Sequence, residues 1–140
     1  MTVGAVGPDR LDRWVVAYGT LRAPEVVTAL LGRTVATRPI HLHGWYPAAL
    51  AGLDFPVLIR DPGGGCDADL LGPLSGDEHE LLTRWEGPWY VRAEWEVDGV
   101  SATVFLPDLA HPDLPALAGT WSYVRFRDRY LARRLRRMWD

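Results

Sequence analysis

Lysine is missing from this sequence of 140 residues, and all fifteen basic residues are arginine. A chain without lysine has no lysine Schiff-base nucleophile, no lysine general base and no P-loop lysine to bind phosphate. Cysteine is almost missing as well. The single Cys66 excludes an internal disulfide and every zinc pattern that needs several cysteines.

Long apolar runs and a basic charge balance are also missing. No stretch reaches the roughly 18 apolar residues of a membrane span, and residues 1–11 lack the charged start and apolar core of a signal peptide. The net charge of −3 and the pI of about 5.8 provide no general attraction to nucleic acid or to an anionic membrane. We therefore expect a cytoplasmic protein that binds neither. The sequence does not indicate an oligomeric state.

The composition is that of one globular domain. The mass is 15.7 kDa, 48% of the residues are hydrophobic and 24% are charged, all within the globular range. Seven tryptophans predict a core or a cleft walled by large rings. Residues 1–13 contain glycine, proline and scattered charges without periodicity, so we expect a loose leader. Residues 14–140 are expected to form the single domain.

The order of apolar patterns predicts an α+β domain, in which a small mixed β-sheet or barrel is flanked by helices. Residues 14–18 are typical of a buried strand, and a helix should follow from Pro24 to Gly32. Ser75 and Glu78 have the spacing of a capping box at the start of a second helix. The remaining predictions are a loop at 61–65, strands near 68–71, 89–97 and 100–106 with a hairpin at 98–99, a loop at 107–119 and a helix at 121–139.

A tight turn follows the first strand at residues 18–21, which read Tyr-Gly-Thr-Leu. A strand that breaks at glycine and enters a helix directs several free N–H groups at one point, so the turn suits a carboxylate or an oxyanion. Gly19 would let a ligand approach closely, and the Thr20 hydroxyl adds a donor. A plain β–α turn that needs glycine for its backbone angle explains the same pattern. The spaced glycines and the lysine of nucleotide-binding loops are absent.

Glu86 ends the second predicted helix, between Trp85 and the helix stop at Gly87-Pro88. A carboxylate in this position faces the negative end of the helix dipole and lies beside large rings. Both effects disfavour the charged form, so we expect a raised pKa suited to general acid–base catalysis. The alternative is an exposed glutamate in an unfavourable last turn.

Three segments carry a pattern that goes beyond these local signals. They are residues 16–22 (VAYGTLR), 43–48 (HGWYPA) and 82–92 (LTRWEGPWYVR). In this order they resemble the Tyr-Gly-(Ser/Thr)-Leu signature, the glycine-aromatic-proline segment and the Leu-x-x-(Phe/Tyr)-Glu-Gly…Tyr-x-Arg block of the γ-glutamylcyclotransferase-like superfamily, also called AIG2-like or BtrG-like. The match spans roughly residues 14–106 and suits the short members of that superfamily.

This resemblance implies a γ-glutamylcyclotransferase-like fold and an intramolecular reaction. The turn amides would hold the glutamyl moiety, and Glu86 would take a proton from the α-amino group that attacks the γ-carbonyl. Glu86 would then return the proton to the departing amine, leaving 5-oxoproline. No metal or cofactor is expected, because the substrate supplies its own nucleophile. The candidate residues are Glu86 for catalysis and, for binding the small-molecule substrate, Tyr18, Gly19, Thr20, Leu21, Tyr90 and Arg92.

Two features depart from the superfamily pattern. Residues 66–74 (CDADLLGPL) replace its usual Val-x-Gly-(Glu/x)-Leu-Tyr strand, and Gly72-Pro73 should shorten that strand or move its end. Arg84 replaces the acidic residue that usually precedes the aromatic-glutamate pair. Its charge could depress the pKa of Glu86 or steer an anionic substrate, and the sequence leaves both open.

Other candidate sites are weaker. His41 and His43 should share one face of a strand, but no third ligand is near, so we expect no metal site. Cys66 has no assigned histidine partner and is interpreted as a structural thiol. The arginines of the terminal helix are interpreted as a solvated face, against the alternative of a nucleic-acid or acidic-partner surface.

Three functions remain open from the sequence. The first is a cyclotransferase that releases an amine and 5-oxoproline from a γ-glutamyl amine or peptide. The second is a non-catalytic binding module that keeps the cavity, which the unusual segment 66–74 and Arg84 favour. The third is an adaptor that uses the arginine-rich helix.

Overall fold

The computed structural model describes residues 13–139. The predicted leader lies outside the described residues, except for Arg13, which begins the first strand. The strands are β1 (Arg13–Ala17), β2 (Thr37–Leu50), β3 (Pro56–Leu74), β4 (Tyr90–Val97), β5 (Val100–Pro107) and β6 (Leu117–Thr120). The helices are α1 (Pro24–Leu31), α2 (Gly76–Glu86), α3 (Tyr123–Arg129) and α4 (Leu131–Trp139), and a short 3-10 turn covers Thr20–Arg22.

The six strands form one mixed sheet in the order β4-β5-β1-β3-β2-β6. The β1–β5 pair is parallel, whereas the other neighbours are antiparallel. The predicted α+β class with a mixed sheet and flanking helices is confirmed. No helix in the described range 13–139 is long and apolar enough to cross a membrane.

Strand β1 runs through the middle of the core and is buried on both faces. Val15 and Ala17 pack into the cluster that the helices cover, whereas Val16 and Tyr18 pack into a second cluster on the opposite face. A strand buried on both faces needs apolar residues at every position, which explains the unbroken run that predicted it. Each helix contributes to the first cluster, through Val26 and Val27 of α1, Leu82 of α2, Phe126 of α3 and Leu131 of α4.

Several local predictions are confirmed in detail. Gly32 ends α1 in the left-handed conformation at φ 74°. Ser75 and Glu78 form a reciprocal capping box at the start of α2. Asp98 and Gly99 connect β4 to β5 with φ angles of 49° and 86°, as a tight hairpin turn requires.

The strand predicted near residues 68–71 lies inside β3, but two other predictions for this strand were wrong. The segment 61–65, predicted as a loop, lies inside β3, where residues 61–64 bulge opposite Gly44 between the pairs His43–Gly65 and Trp45–Arg60. Gly72-Pro73 does not shorten β3, which continues to Leu74. A Cβ added at Gly72 would lie 2.6 Å from the Trp14 ring, so glycine is needed there for packing.

The predictions for the C-terminal third need two corrections. The predicted helix 121–139 is two helices, because Tyr130 leaves the helical conformation at φ −121° and separates α3 from α4. The predicted loop 107–119 overlaps β6, a short strand that pairs with β2 at the end of the sheet. Its four residues are all exposed, so no burial pattern marks it in the sequence.

Candidate active site

A cavity of about 90 Å³ lies where β1, α2, α4 and the start of β3 and β4 meet. It brings together most of the residues selected from the sequence, which come from distant parts of the chain. Its wall consists of Val16, Ala17, Tyr18, Gly19, Thr20, Leu21, Phe55, Pro56, Trp85, Glu86, Tyr90, Phe105 and Arg134.

The turn after β1 supplies backbone donors to this wall. Arg22 and Ala23 donate back to the carbonyls of Gly19 and Thr20 at 3.0 and 3.1 Å. The N–H groups of Thr20 and Leu21, in contrast, donate to no acceptor within the part of the chain that is described. Unpaired amides beside a cavity are a physical basis for holding an anionic group.

Of the two explanations that the sequence offered for Gly19, the one based on its backbone angle is wrong. Its φ is −124°, so the turn does not need glycine for a left-handed angle. A Cβ at this position would instead lie 2.9 Å from Cδ of Pro56, closer than real contacts allow. Gly19 therefore lets the turn pack against the start of β3, and this packing fixes one wall of the cavity.

The Tyr18 side chain is committed to the core. Its hydroxyl donates to the Phe105 carbonyl, and burial raises the pKa of Tyr18 well above its usual value. Only a small fraction of the residue is exposed. Tyr18 thus contributes to the cavity as part of the wall, while its hydroxyl holds β1 against β5.

Among the described residues of the chain, Glu86 supplies the one carboxylate on the cavity wall. It lies at the last residue of α2, partly buried, and desolvation raises its pKa from 4.5 to about 8. The predicted direction of the shift is the one found, with burial as its main cause. A carboxyl group with this pKa exchanges a proton readily near neutral pH, as a general acid–base group must.

The cation that acts on Glu86 is Arg134, which was not predicted for the site. Arg134 lowers the pKa of Glu86 against the larger effect of burial. Arg84, which the sequence placed near the carboxylate, is exposed. The solvated-face interpretation of the terminal arginines is therefore wrong for Arg134. A signal existed, because Arg134 falls in the helical stripe of Leu131, Leu135 and Met138 that packs on the core.

Arg134 is held from two sides and keeps one donor unused. Its Nη2 donates to Oδ1 of Asp54 in a largely buried ion pair, and its guanidinium lies 5.5 Å from the centre of the Phe55 ring. Its Nε is buried and has no hydrogen-bond partner among the described residues. A buried charged donor without an acceptor is costly, so Arg134 is a cation that a nearby anionic ligand would stabilise.

Tyr90 lies at the cavity, whereas Arg92 does not. Tyr90 lies on the cavity wall, its hydroxyl donates to the Pro56 carbonyl at 2.7 Å, and burial raises its pKa. Arg92 is exposed and does not line the cavity, although its charge adds to the burial that lowers the pKa of His79. The two residues predicted to share a face therefore do not share the site.

The histidine pair, at which no metal site is expected, and the cysteine, interpreted as a structural thiol, contact other protein groups in the fold. His41 contacts Asp67 through Nδ1 at 2.9 Å and lies against the His43 ring. Among residues 13–139, no group of three potential ligands could hold a metal ion. Cys66 is buried in the second core cluster, and burial raises the pKa of its thiol to about 11.

Comparison with known proteins shows which family the chain resembles. The family model "Gamma-glutamyl cyclotransferase, AIG2-like" matches residues 15–123. Protein AIG2 C of Arabidopsis thaliana is 27% identical over 119 residues, which cover 81% of this chain and 71% of that protein.

Solved structures share the fold. A solution structure of an Arabidopsis thaliana protein has a TM-score of 0.65 at 23% identity, covering 96% of this chain and 86% of its own. A crystal structure of a Pyrococcus horikoshii protein has a TM-score of 0.60 at 14% identity, covering 84% of this chain and 96% of its own. The matched region contains the turn, Glu86 and Tyr90, whereas Arg134 lies beyond residue 123.

Proposed function

The chain belongs to the AIG2-like gamma-glutamyl cyclotransferase family, and from this premise we propose that it cyclises a γ-glutamyl amine or peptide to 5-oxoproline and releases the amine. The observation that carries the proposal is the cavity shared by Glu86, with its pKa of about 8, and the unpaired amides of Thr20 and Leu21. A small-molecule enzyme of the cytoplasm, without cofactor or nucleic-acid partner, is the setting we propose.

In this proposal the turn holds the glutamyl moiety by its negative charge. Thr20 and Leu21 donate their N–H groups to a carboxylate, and the Thr20 side chain adds a hydroxyl that is unpaired within the described residues. Held in this way, the α-amino nitrogen and the γ-carbonyl carbon of one substrate molecule lie close together. The cyclisation is then unimolecular, and orientation lowers its barrier without a nucleophile from the protein.

Glu86 provides the proton transfers. Its carboxylate takes a proton from the α-amino group as the nitrogen bonds to the γ-carbonyl carbon. The C–N bond to the amine half then breaks, and Glu86 returns the proton to the departing nitrogen. The ring closes as a lactam, water is not consumed and Glu86 ends the cycle unprotonated. A pKa of about 8 leaves both forms of Glu86 accessible near neutral pH.

The test is release of 5-oxoproline from a panel of γ-glutamyl amines and γ-glutamyl dipeptides. For Glu86→Gln we expect kcat/KM to fall by about 10² or more, since one general acid–base group is removed. Glu80→Gln is the matched control, because it removes the same charge from an exposed position on α2. Undiminished release by the Glu86→Gln protein would refute the general-base role.

The same panel separates the alternative of a non-catalytic binding module. If no compound releases 5-oxoproline, but some raise the Tm of the protein by an amount that grows with the logarithm of their concentration above Kd, the cavity binds without turnover. Loss of that Tm shift in Thr20→Val would then place the binding at the turn. Turnover of any panel member excludes this alternative.

A further inference from the structure

A groove adjoins the proposed active-site cavity and differs from it in charge. It has a volume of about 660 Å³ and shares the side chains of Phe55 and Arg134 with the cavity, so the two spaces meet at these residues. Besides Arg134, the groove is lined by Arg133 and Arg137. These positions lie on one side of α4, at i, i+1 and i+4.

Within residues 13–139, positive charge in this groove is largely uncompensated. Asp54 is the one acidic residue among the described residues of its wall, and Arg134 already engages it in the buried ion pair. Arg133 lies 5.6 Å from the Tyr130 ring centre, and neither Arg133 nor Arg137 forms an ion pair within residues 13–139. The whole chain carries a net charge of −3, so the groove is a local cationic surface on an acidic protein.

The geometry of the proposed reaction connects the groove to one half of the substrate. The glutamyl half must be enclosed, because its amino group and γ-carbonyl react inside the cavity with Glu86. The amine half is the part that leaves, so it needs the path from the cavity to the outside. The groove adjoins the cavity at Phe55 and Arg134, so it is the neighbouring space that the amine half can occupy.

We propose, on the basis of the proposed function, that the groove selects γ-glutamyl substrates whose amine half is acidic. The guanidinium of Arg134, on the wall of both spaces, attracts an anionic group next to the scissile bond. Arg133 and Arg137 attract a second anionic group farther out. The substrate class is thus a γ-glutamyl compound with an acidic amino acid as its amine half, in preference to a neutral or cationic amine.

The test compares two ligands that differ by one charge and have nearly the same shape, γ-glutamyl-glutamate and γ-glutamyl-glutamine. Their Kd values are measured by calorimetry on the Glu86→Gln protein, so the comparison does not depend on turnover. We expect γ-glutamyl-glutamate to bind about two- to fivefold more tightly, as is typical of exposed ion pairs. Raising the ionic strength from about 0.05 to 0.5 M should reduce this preference through screening.

Two double variants test which arginines are responsible. Arg133→Gln with Arg137→Gln should abolish the preference for γ-glutamyl-glutamate. Arg129→Gln with Arg136→Gln changes the net charge equally at exposed positions outside the groove and should leave the preference intact. Equal Kd values for the two ligands, no binding of either one, or a preference that survives in the first double variant would each overturn the inference.

Failure of this inference is distinguishable from failure of the proposed function. If the wild-type protein converts both ligands to 5-oxoproline with equal kcat/KM, the cyclotransferase function stands and the acidic selectivity is refuted. If it converts neither ligand, but the charge-dependent difference in Kd is present, the selectivity stands and the catalytic proposal fails.

Discussion

Replacing Glu86 by glutamine should change how stability depends on pH. The pKa of Glu86 is raised from 4.5 to about 8, so between these values the folded state holds a proton that the unfolded chain has released. Stability falls with rising pH wherever the folded state binds more protons, at about 1.4 kcal/mol per pH unit for one group. The stability that the protonated carboxyl retains below pH 4.5 is therefore lost as the pH rises through about 8.

A glutamine at position 86 stays neutral at every pH, so the variant does not lose stability in this way as the pH rises. Relative to wild type, the free energy of unfolding of Glu86→Gln should be unchanged near pH 4.5 and should increase steadily up to pH 8. The full shift corresponds to about 4–5 kcal/mol, and relaxation around a partly exposed carboxylate should leave roughly 2–4 kcal/mol of it. The variant that removes the proposed catalytic group should thus be more stable at pH 8 than the wild-type protein.

Urea unfolding at a series of pH values from about 4.5 to 9 measures this difference directly. Groups that titrate in both proteins cancel in the subtraction. Glu80→Gln on the same helix is the reference for losing a carboxylate from α2. A Glu86→Gln difference that does not vary with pH would refute the raised pKa, and with it the physical basis for the proton transfers.

Three other substitutions test the structure around the cavity. Gly19→Ala should destabilise the fold by about 1–3 kcal/mol through its clash with the Pro56 ring, and Pro56→Ala in the same protein should restore part of that loss in urea unfolding. Ser75→Ala should cost about 1 kcal/mol by removing the helix cap, whereas Ser75→Asp should retain most of the stability. Arg134→Gln should move the pKa of Glu86 above 8, since the nearby positive charge lowers it; an unchanged acidic limb in the pH profile of kcat/KM would contradict this.

The parts of the fold that the sequence predicted are those fixed by local chemistry. Gly32, the Ser75–Glu78 box and the Asp98-Gly99 hairpin each need particular residues for a particular backbone geometry. The glycines of residues 61–65 led to a wrong loop prediction, because glycine is common in loops and also permits a bulge inside a strand. Long-range packing decides between these two outcomes, and it is not encoded in the segment itself.

The candidate site also contains one part that the sequence predicted and one part that it did not. The turn and Glu86 carry motifs, and the structure brings them to one cavity. Arg134 carries none, since it is one arginine among many in a helix that reads as solvated. Its role depends on the break at Tyr130, which sets the direction of α4, and on Asp54 in a loop far away in the sequence. The one sequence feature that distinguishes Arg134 from the other arginines is its position within the apolar stripe of α4.

The walls of the cavity differ in how readily evolution can alter them. The turn donates through main-chain N–H groups, and Tyr90 bonds to the main-chain carbonyl of Pro56. Most side-chain substitutions leave such groups in place, so the half that we propose to hold the glutamyl moiety should persist among descendants of this protein. The adjoining groove takes its charge from arginine side chains on α4, where single substitutions reverse or remove charge without disturbing the sheet. Divergence toward new substrates should therefore begin on α4.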